Sequence, residues 1–198
     1  MNFLAHLYLS QNNTSIMVGN LIADHIRGNK FEHFPSEIQK GIFLHRKIDS
    51  FTDAHPIVRK SKRRLHERYG HYDGIIIDVF YDYFLAKNWK RYSKIPLETY
   101  TKGVYKILSN HHNILPEKTK QMLPYMIKYD WLYNYQFEHG IQEVLNSLNR
   151  RTKGRSKMDL AIDDLQKHHI DLENDFFLFF DELIAYTNNE LLKLNEFS

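Results

Sequence analysis

The chain has no cysteine. Disulfides, thiolate zinc sites and cysteine nucleophiles are therefore excluded. Its twelve histidines and its many carboxylates leave a nitrogen and oxygen metal site as the available kind. No stretch approaches the roughly eighteen apolar residues of a membrane helix, so no span is expected. The opening "MNFLAHLYLS" lacks a basic lead and a small-residue cleavage pattern, and polar "QNN" follows at once. No signal peptide is expected on that pattern, and a cytoplasmic location fits best. Alternating βα units, a glycine-rich phosphate loop and internal repeats are also missing, which argues against Rossmann and P-loop enzymes. Nor is one sign of charge in large excess. The 27 Lys and Arg against 24 Asp and Glu give +3, too little to imply nucleic-acid binding by itself.

What is present reads as a folded chain of 198 residues, 42% hydrophobic and 26% charged. That length suits one domain with a core of its own, spanning residues 1–198. Helical periodicity dominates. "TSIMVGNLIADHIRG" predicts a helix stopped by Gly28, and "PSEIQKGIFLHRKIDSF" predicts another with Pro35 in its first turn and Gly41 as a weak point. Pro56 opens a basic helix, "PIVRKSKRRLHERYG". "GIIIDVFYDYFLAKNW" is apolar nearly all round and predicts a buried helix. Further helices are expected near 97–109, 117–131, 136–150 and 158–167, with a last one through "DLENDFFLFFDELIAYTNNELLKL". The fold class is all-α.

Two pairs of polar residues four apart carry the chemical interest, because that spacing places side chains on one helix face. Asp78 and Asp82 lie within "IIIDVFYDYFL", where a charge leaving water needs a partner. The partner is either a metal shared with another helix or a set of Tyr, Arg or backbone donors. His45 and Asp49 form the second pair, equally open to a hydrogen bond or to metal ligation. Asp53 either extends that stripe or caps the helix after Pro56. His55 is a general acid or a turn residue, and His6 among apolar neighbours is by default a satisfied core histidine. Asp24 either pairs with Arg27, three residues on, or ligates a metal while Arg27 meets a phosphate oxygen. Such ligands suit manganese, magnesium or iron, and metal-dependent phosphoester hydrolysis is as far as spacing goes.

The segments "MNFLAHLYL", "GNLIADHIRG", "GIFLHRKIDSFTDAHP" and "DVFYDYFLAKNW", in this order, resemble the acyl-carrier-protein phosphodiesterase family. The family itself resembles a divergent branch of the helical HD-type phosphohydrolases. The resemblance implies removal of 4′-phosphopantetheine from holo-acyl-carrier protein with manganese as preferred cofactor, magnesium or iron being alternatives. It places the family pattern on His6, Asp24, His45, Asp49, Asp53, Asp78 and Asp82. Of these, Asp24, His45 and Asp78, with His6 beside them, are the expected metal ligands. Asp49 and Asp82 are ligands or their supports, Asp53 is the expected cap, and His25 is not expected to ligate.

In the same reading Arg27 or Arg46 balances phosphoryl charge. The run "RKSKRRLHER" at 59–68, with Arg59, Arg63 and Arg64, steers the acidic carrier protein, and "NRRTKGRSK" at 149–157 is a second docking candidate. Two other functions compete: an HD-like hydrolase of nucleotides or small phosphoesters, and a helical nucleic-acid-binding module using 59–68. No nucleic acid or membrane partner is expected. Oligomeric state is left open, since "FFLFF" at 176–180 serves either the core or a subunit contact.

Overall fold

The computed structural model describes residues 1–196, and among these every regular element is helical. The helices are α1 (Phe3–Leu9), α2 (Thr14–Ile22), α3 (Ser36–Ala54), α4 (Pro56–Tyr69), α5 (Asp73–Lys87), α6 (Trp89–Tyr92), α7 (Leu97–Asn110), α8 (Glu117–Lys128), α9 (Trp131–Asn134), α10 (Glu138–Arg151), α11 (Ala161–Lys167) and α12 (His169–Glu196). None of them is long and apolar enough to cross a membrane.

The lack of a polar face on α5 has a direct structural cause. It is the central helix, packed against α1, α4, α10 and α12, so Ile76, Ile77, Phe80, Tyr81, Phe84 and Leu85 are all enclosed. Each such large side chain contributes about 1.5–3 kcal/mol when fully buried. From α12, Leu172, Phe176, Phe179, Phe180 and Leu183 enter the same core. The "FFLFF" run therefore serves mainly the core, although Leu178 within it faces solvent.

Gly41, a weak point for an isolated helix, is where α2 and α3 cross most closely. A Cβ there would collide with the Ile16 carbonyl, and one at Gly19 would collide with that of Ile38. The two glycines let the backbones touch, and the residues just beyond them, Asn20 and His45, meet as a result.

Several boundaries differ from the expectations. The helix expected to run to Gly28 stops at Ile22 and tightens into a single 3₁₀ turn, Ala23–His25, before Ile26 becomes extended. The loop beyond is held by Arg46, which donates to the Gly28 carbonyl and lies over the Phe31 ring. Pro35 occupies the N-cap of α3 rather than its first turn, with ψ 145. The expected helix over 117–131 breaks into α8 and α9, because Asp130 adopts a left-handed conformation with φ 43. The cap of α4 is His55, whose ring accepts from the Ile57 amide at 3.3 Å, and not Asp53. The other ring nitrogen of His55 meets Glu182 at 3.2 Å, so this histidine has a structural place.

Candidate metal centre

α1, α2 and α3 each contribute to one cluster. His6 and His45 stack with ring centroids 4.0 Å apart and planes 18° from parallel. Asp49, one turn beyond His45 on α3, brings Oδ1 to 3.3 Å from His6 Nε2 and Oδ2 to 3.1 Å from His45 Nε2. One potential ligand atom from each of His6, His45 and Asp49 lies within 4.8 Å of the others. Asp24, from the 3₁₀ turn after α2, adds Oδ1 at 3.2 Å from His45 Nε2. The far side of the His45 ring is anchored, Nδ1 donating to the Asn20 carbonyl at 2.8 Å.

The cluster's electrostatics call for a cation. His6 Nε2 is enclosed by protein and has no hydrogen-bond partner, with the Asp49 carboxylate beside it. Burial, and then the charge on His45, lower the pKa of His6 to about 4, so its ring is neutral near pH 7. Burial also opposes charge on His45, but hydrogen bonds to Asp24 and Asp49 outweigh it and lift that ring to about 9. The Asp49 carboxyl is raised by burial, yet the two histidines beside it hold it well below the usual range. Asp24 is lowered chiefly by its bond to His45. Two imidazole nitrogens and a carboxylate thus share one proton where a divalent ion would satisfy all three. The donor set fits a hard or borderline cation.

The remaining expected site residues have other surroundings. Asp82 is fully buried and accepts from the amides of Leu4 at 2.7 Å and Ala5 at 3.2 Å. Its carboxyl occupies the first turn of α1, where Asn2 makes no side-chain cap. Burial pushes it up to about 7, only partly offset by those two bonds. Asp78 is 3.0 Å from the Met1 amino group and about a third exposed (35%). Asp53 is exposed on the last turn of α3. Arg27 is also exposed, whereas Arg46 is engaged with Gly28. On α4, Arg64 and Lys60 bind Asp175 and Arg68 binds Asp164. Arg59 and Arg63 border a shallow surface groove with His66 and Asp73.

A cleft of about 1430 Å³ opens over the cluster. Asp24, His45, Asp49, Asp53 and Asp78 line it, together with Lys118, Tyr125 and Met122 of α8, Trp131 of α9, and Glu143, Leu148, Arg150 and Arg151 of α10. No residue of 59–68 borders it. The second basic run does, through Arg150 and Arg151. These two and Lys118 are exposed and make no ion pair among the described residues. His25 also borders the cleft, its ring 2.7 Å from Thr119 Oγ1. Asn20, Lys118 and the aromatic wall were not singled out from the sequence. An amide inside the apolar run "IMVGNLI" was the one available signal for Asn20.

Known proteins resemble this chain over most of its length. The family profile described as "Acyl carrier protein phosphodiesterase" matches residues 1–183. A protein of that name from Enterobacter sp. (strain 638) is 33% identical over 199 residues, covering 97% of this chain and 100% of the relative. Another from Salmonella agona (strain SL483) is 32% identical over 196 residues with the same coverage. A third, from Photorhabdus laumondii, is 29% identical over 191 residues and covers 96% of both chains. No solved structure matches.

Proposed function

The chain belongs to the acyl carrier protein phosphodiesterase family, and on that premise we propose that it hydrolyses the phosphodiester joining 4′-phosphopantetheine to the serine of holo-acyl-carrier protein. The products are apo-carrier protein and free 4′-phosphopantetheine. Membership and the triad together support a metal-dependent hydrolase. The observation that carries the finer reading is the cleft, which is lined both by residues of the cation-ready cluster and by Lys118, Arg150 and Arg151, which make no ion pair among the described residues.

His6, His45 and Asp49 would hold the cation, manganese by preference and magnesium or iron otherwise. When bound, it supplies positive charge to the phosphodiester and to the oxyanion that develops on displacement. Asp24 stays ionised beside His45 and faces the cleft, so it is placed to take the proton of an attacking water. Lys118, Arg150 and Arg151 offer opposite charge to an acidic carrier protein at the cleft. At about 1430 Å³ the cleft exceeds the ~300–1,000 Å³ of ordinary small-molecule pockets. It has room for an extended prosthetic arm along Tyr125, Met122 and Trp131. Asp82 and Asp78 keep supporting places, Asp82 at the start of α1 and Asp78 at the cleft wall.

The test is the intact mass of purified holo-acyl-carrier protein after incubation with the enzyme, with and without manganese. A manganese-dependent fall to the apo mass, with 4′-phosphopantetheine in solution, is expected. An unchanged mass with folded, manganese-supplied enzyme would overturn the assignment.

A further inference from the structure

Asn20 is fully enclosed on α2, among Ile16, Met17, Val18, Leu21 and Ile22. Four groups surround its carboxamide. The His6 carbonyl and the Ser10 hydroxyl lie 2.8 and 3.0 Å from the nitrogen. Nδ1 of His6 and Nδ1 of His45 lie 2.8 and 3.2 Å from the oxygen. A backbone carbonyl can only accept, so the amide atom beside His6 O must be the NH₂ group. That fixes the orientation of the carboxamide and leaves Oδ1, another obligate acceptor, against His6 Nδ1. His6 Nδ1 must then carry the proton. His45 Nδ1 faces a second obligate acceptor, the Asn20 backbone carbonyl at 2.8 Å, and must carry one as well. On either ring, when neutral, the free lone pair is on Nε2, the atom that points at Asp49.

We propose that Asn20 is the positioning residue of the metal centre. Its carboxamide and its own carbonyl hold both imidazoles in the Nδ1–H tautomer, so that two Nε2 lone pairs converge on one point. This rests on the reading of His6, His45 and Asp49 as a cation site. The His6 carbonyl also accepts from Ser10 Oγ at 2.8 Å and His45 Nδ1 keeps the Asn20 backbone carbonyl, so the group that loses its acceptor when the carboxamide is removed is His6 Nδ1.

Nitrogen-15 NMR of the imidazoles in metal-free wild-type protein tests the tautomer directly. The expected result is a proton on Nδ1 of His6 and of His45 wherever either ring is neutral. An Nε2–H form at either ring overturns the proposal. In Asn20→Ala, manganese affinity measured by titration should fall by roughly 10- to 100-fold, and neutral His6 should lose its single tautomer. Ser10→Ala touches neither ring and leaves the amide its stronger bond, so affinity should stay within about threefold of wild type. A folded Asn20→Ala protein with wild-type manganese affinity would also overturn the proposal. Should that variant fail to fold, the wild-type ring measurement decides. Should wild type bind no manganese, magnesium or ferrous iron, the cation reading fails, while the tautomer result still says whether Asn20 orients the rings.

Discussion

His45 and Asp49 on α3 share a spacing of four with Asp78 and Asp82 on α5, and the two pairs have opposite fates. Asp82 meets the start of a helix, where two backbone amides have no other acceptor, and is consumed by them. Asp49 meets two imidazole nitrogens whose lone pairs face it when the rings are neutral, a juxtaposition that the proton on His45 relieves in part and a metal ion would relieve in full. Spacing on a helix brings side chains to one face. What the facing element offers, donors or further acceptors, decides whether the face becomes a structural joint or a cation site.

The largest break in that comparison should come from Asp82→Ala. It strands two buried amides at about 1–3 kcal/mol each, so a loss of roughly 2–6 kcal/mol in urea unfolding is expected. A loss below about 1 kcal/mol would show that α1 does not depend on this carboxylate. On α3, Asp49→Asn should lower manganese affinity by more than the ~100-fold upper range for supporting residues. Asp78→Asn should leave that affinity nearly unchanged. Equal losses from both variants, measured by calorimetric titration, would erase the distinction between the pairs.

A proton contrast sharpens it further. His45 holds its proton up to about pH 9 in the metal-free protein, whereas His6, at about 4, has none to lose at neutral pH. Binding at pH 7 should therefore release about one proton, and apparent affinity should rise about tenfold per pH unit until His45 is neutral. Titrations in buffers of different ionisation enthalpy would count that proton, and a count of zero would contradict the site. The sign for stability follows the same ring. With a folded pKa above the ordinary 6.5, His45 stabilises the metal-free fold fully below about 6.5, and that contribution disappears as pH rises through about 9.

The smallest expected effect concerns the two basic runs. Charge reversal of Arg150 and Arg151 should raise KM for holo-carrier protein several-fold and flatten its rise with salt. Reversal of Arg59 and Arg63, which lie away from the cleft, should leave KM as it was. Steady-state kinetics over a salt series would separate the two, and an effect from Arg59 and Arg63 alone would move the carrier contact to α4.

Much of the helical layout was legible because apolar spacing, prolines and turns are local signals. The buried character of "IIIDVFYDYFL" could be read directly, since a helix without a polar face has nowhere to go but inside. The partners of Asp82 could not be read, because backbone amides carry no residue signature. Asn20 was hidden for a related reason: its partners stand 14 and 25 residues away and meet it only because Gly19 and Gly41 let two helices touch. Arg150 and Arg151 showed as charge in the sequence, but their place over the cluster depends on how α10 folds back across α5. The break at Asp130 was equally silent, being a left-handed backbone angle at a residue other than glycine.

The close crossing of α2 and α3 also has a consequence for the order of assembly. Every atom of the cation cluster comes from residues 6 to 49, whereas the cationic lining of the cleft extends to Arg151. Short separations close with little entropy cost and form early, and chains emerge from the ribosome N-terminus first. The ligand set can therefore gather while the cationic lining is still being synthesised, and a divalent ion captured at that stage would hold α1, α2 and α3 together before there is any cleft for a carrier protein to enter.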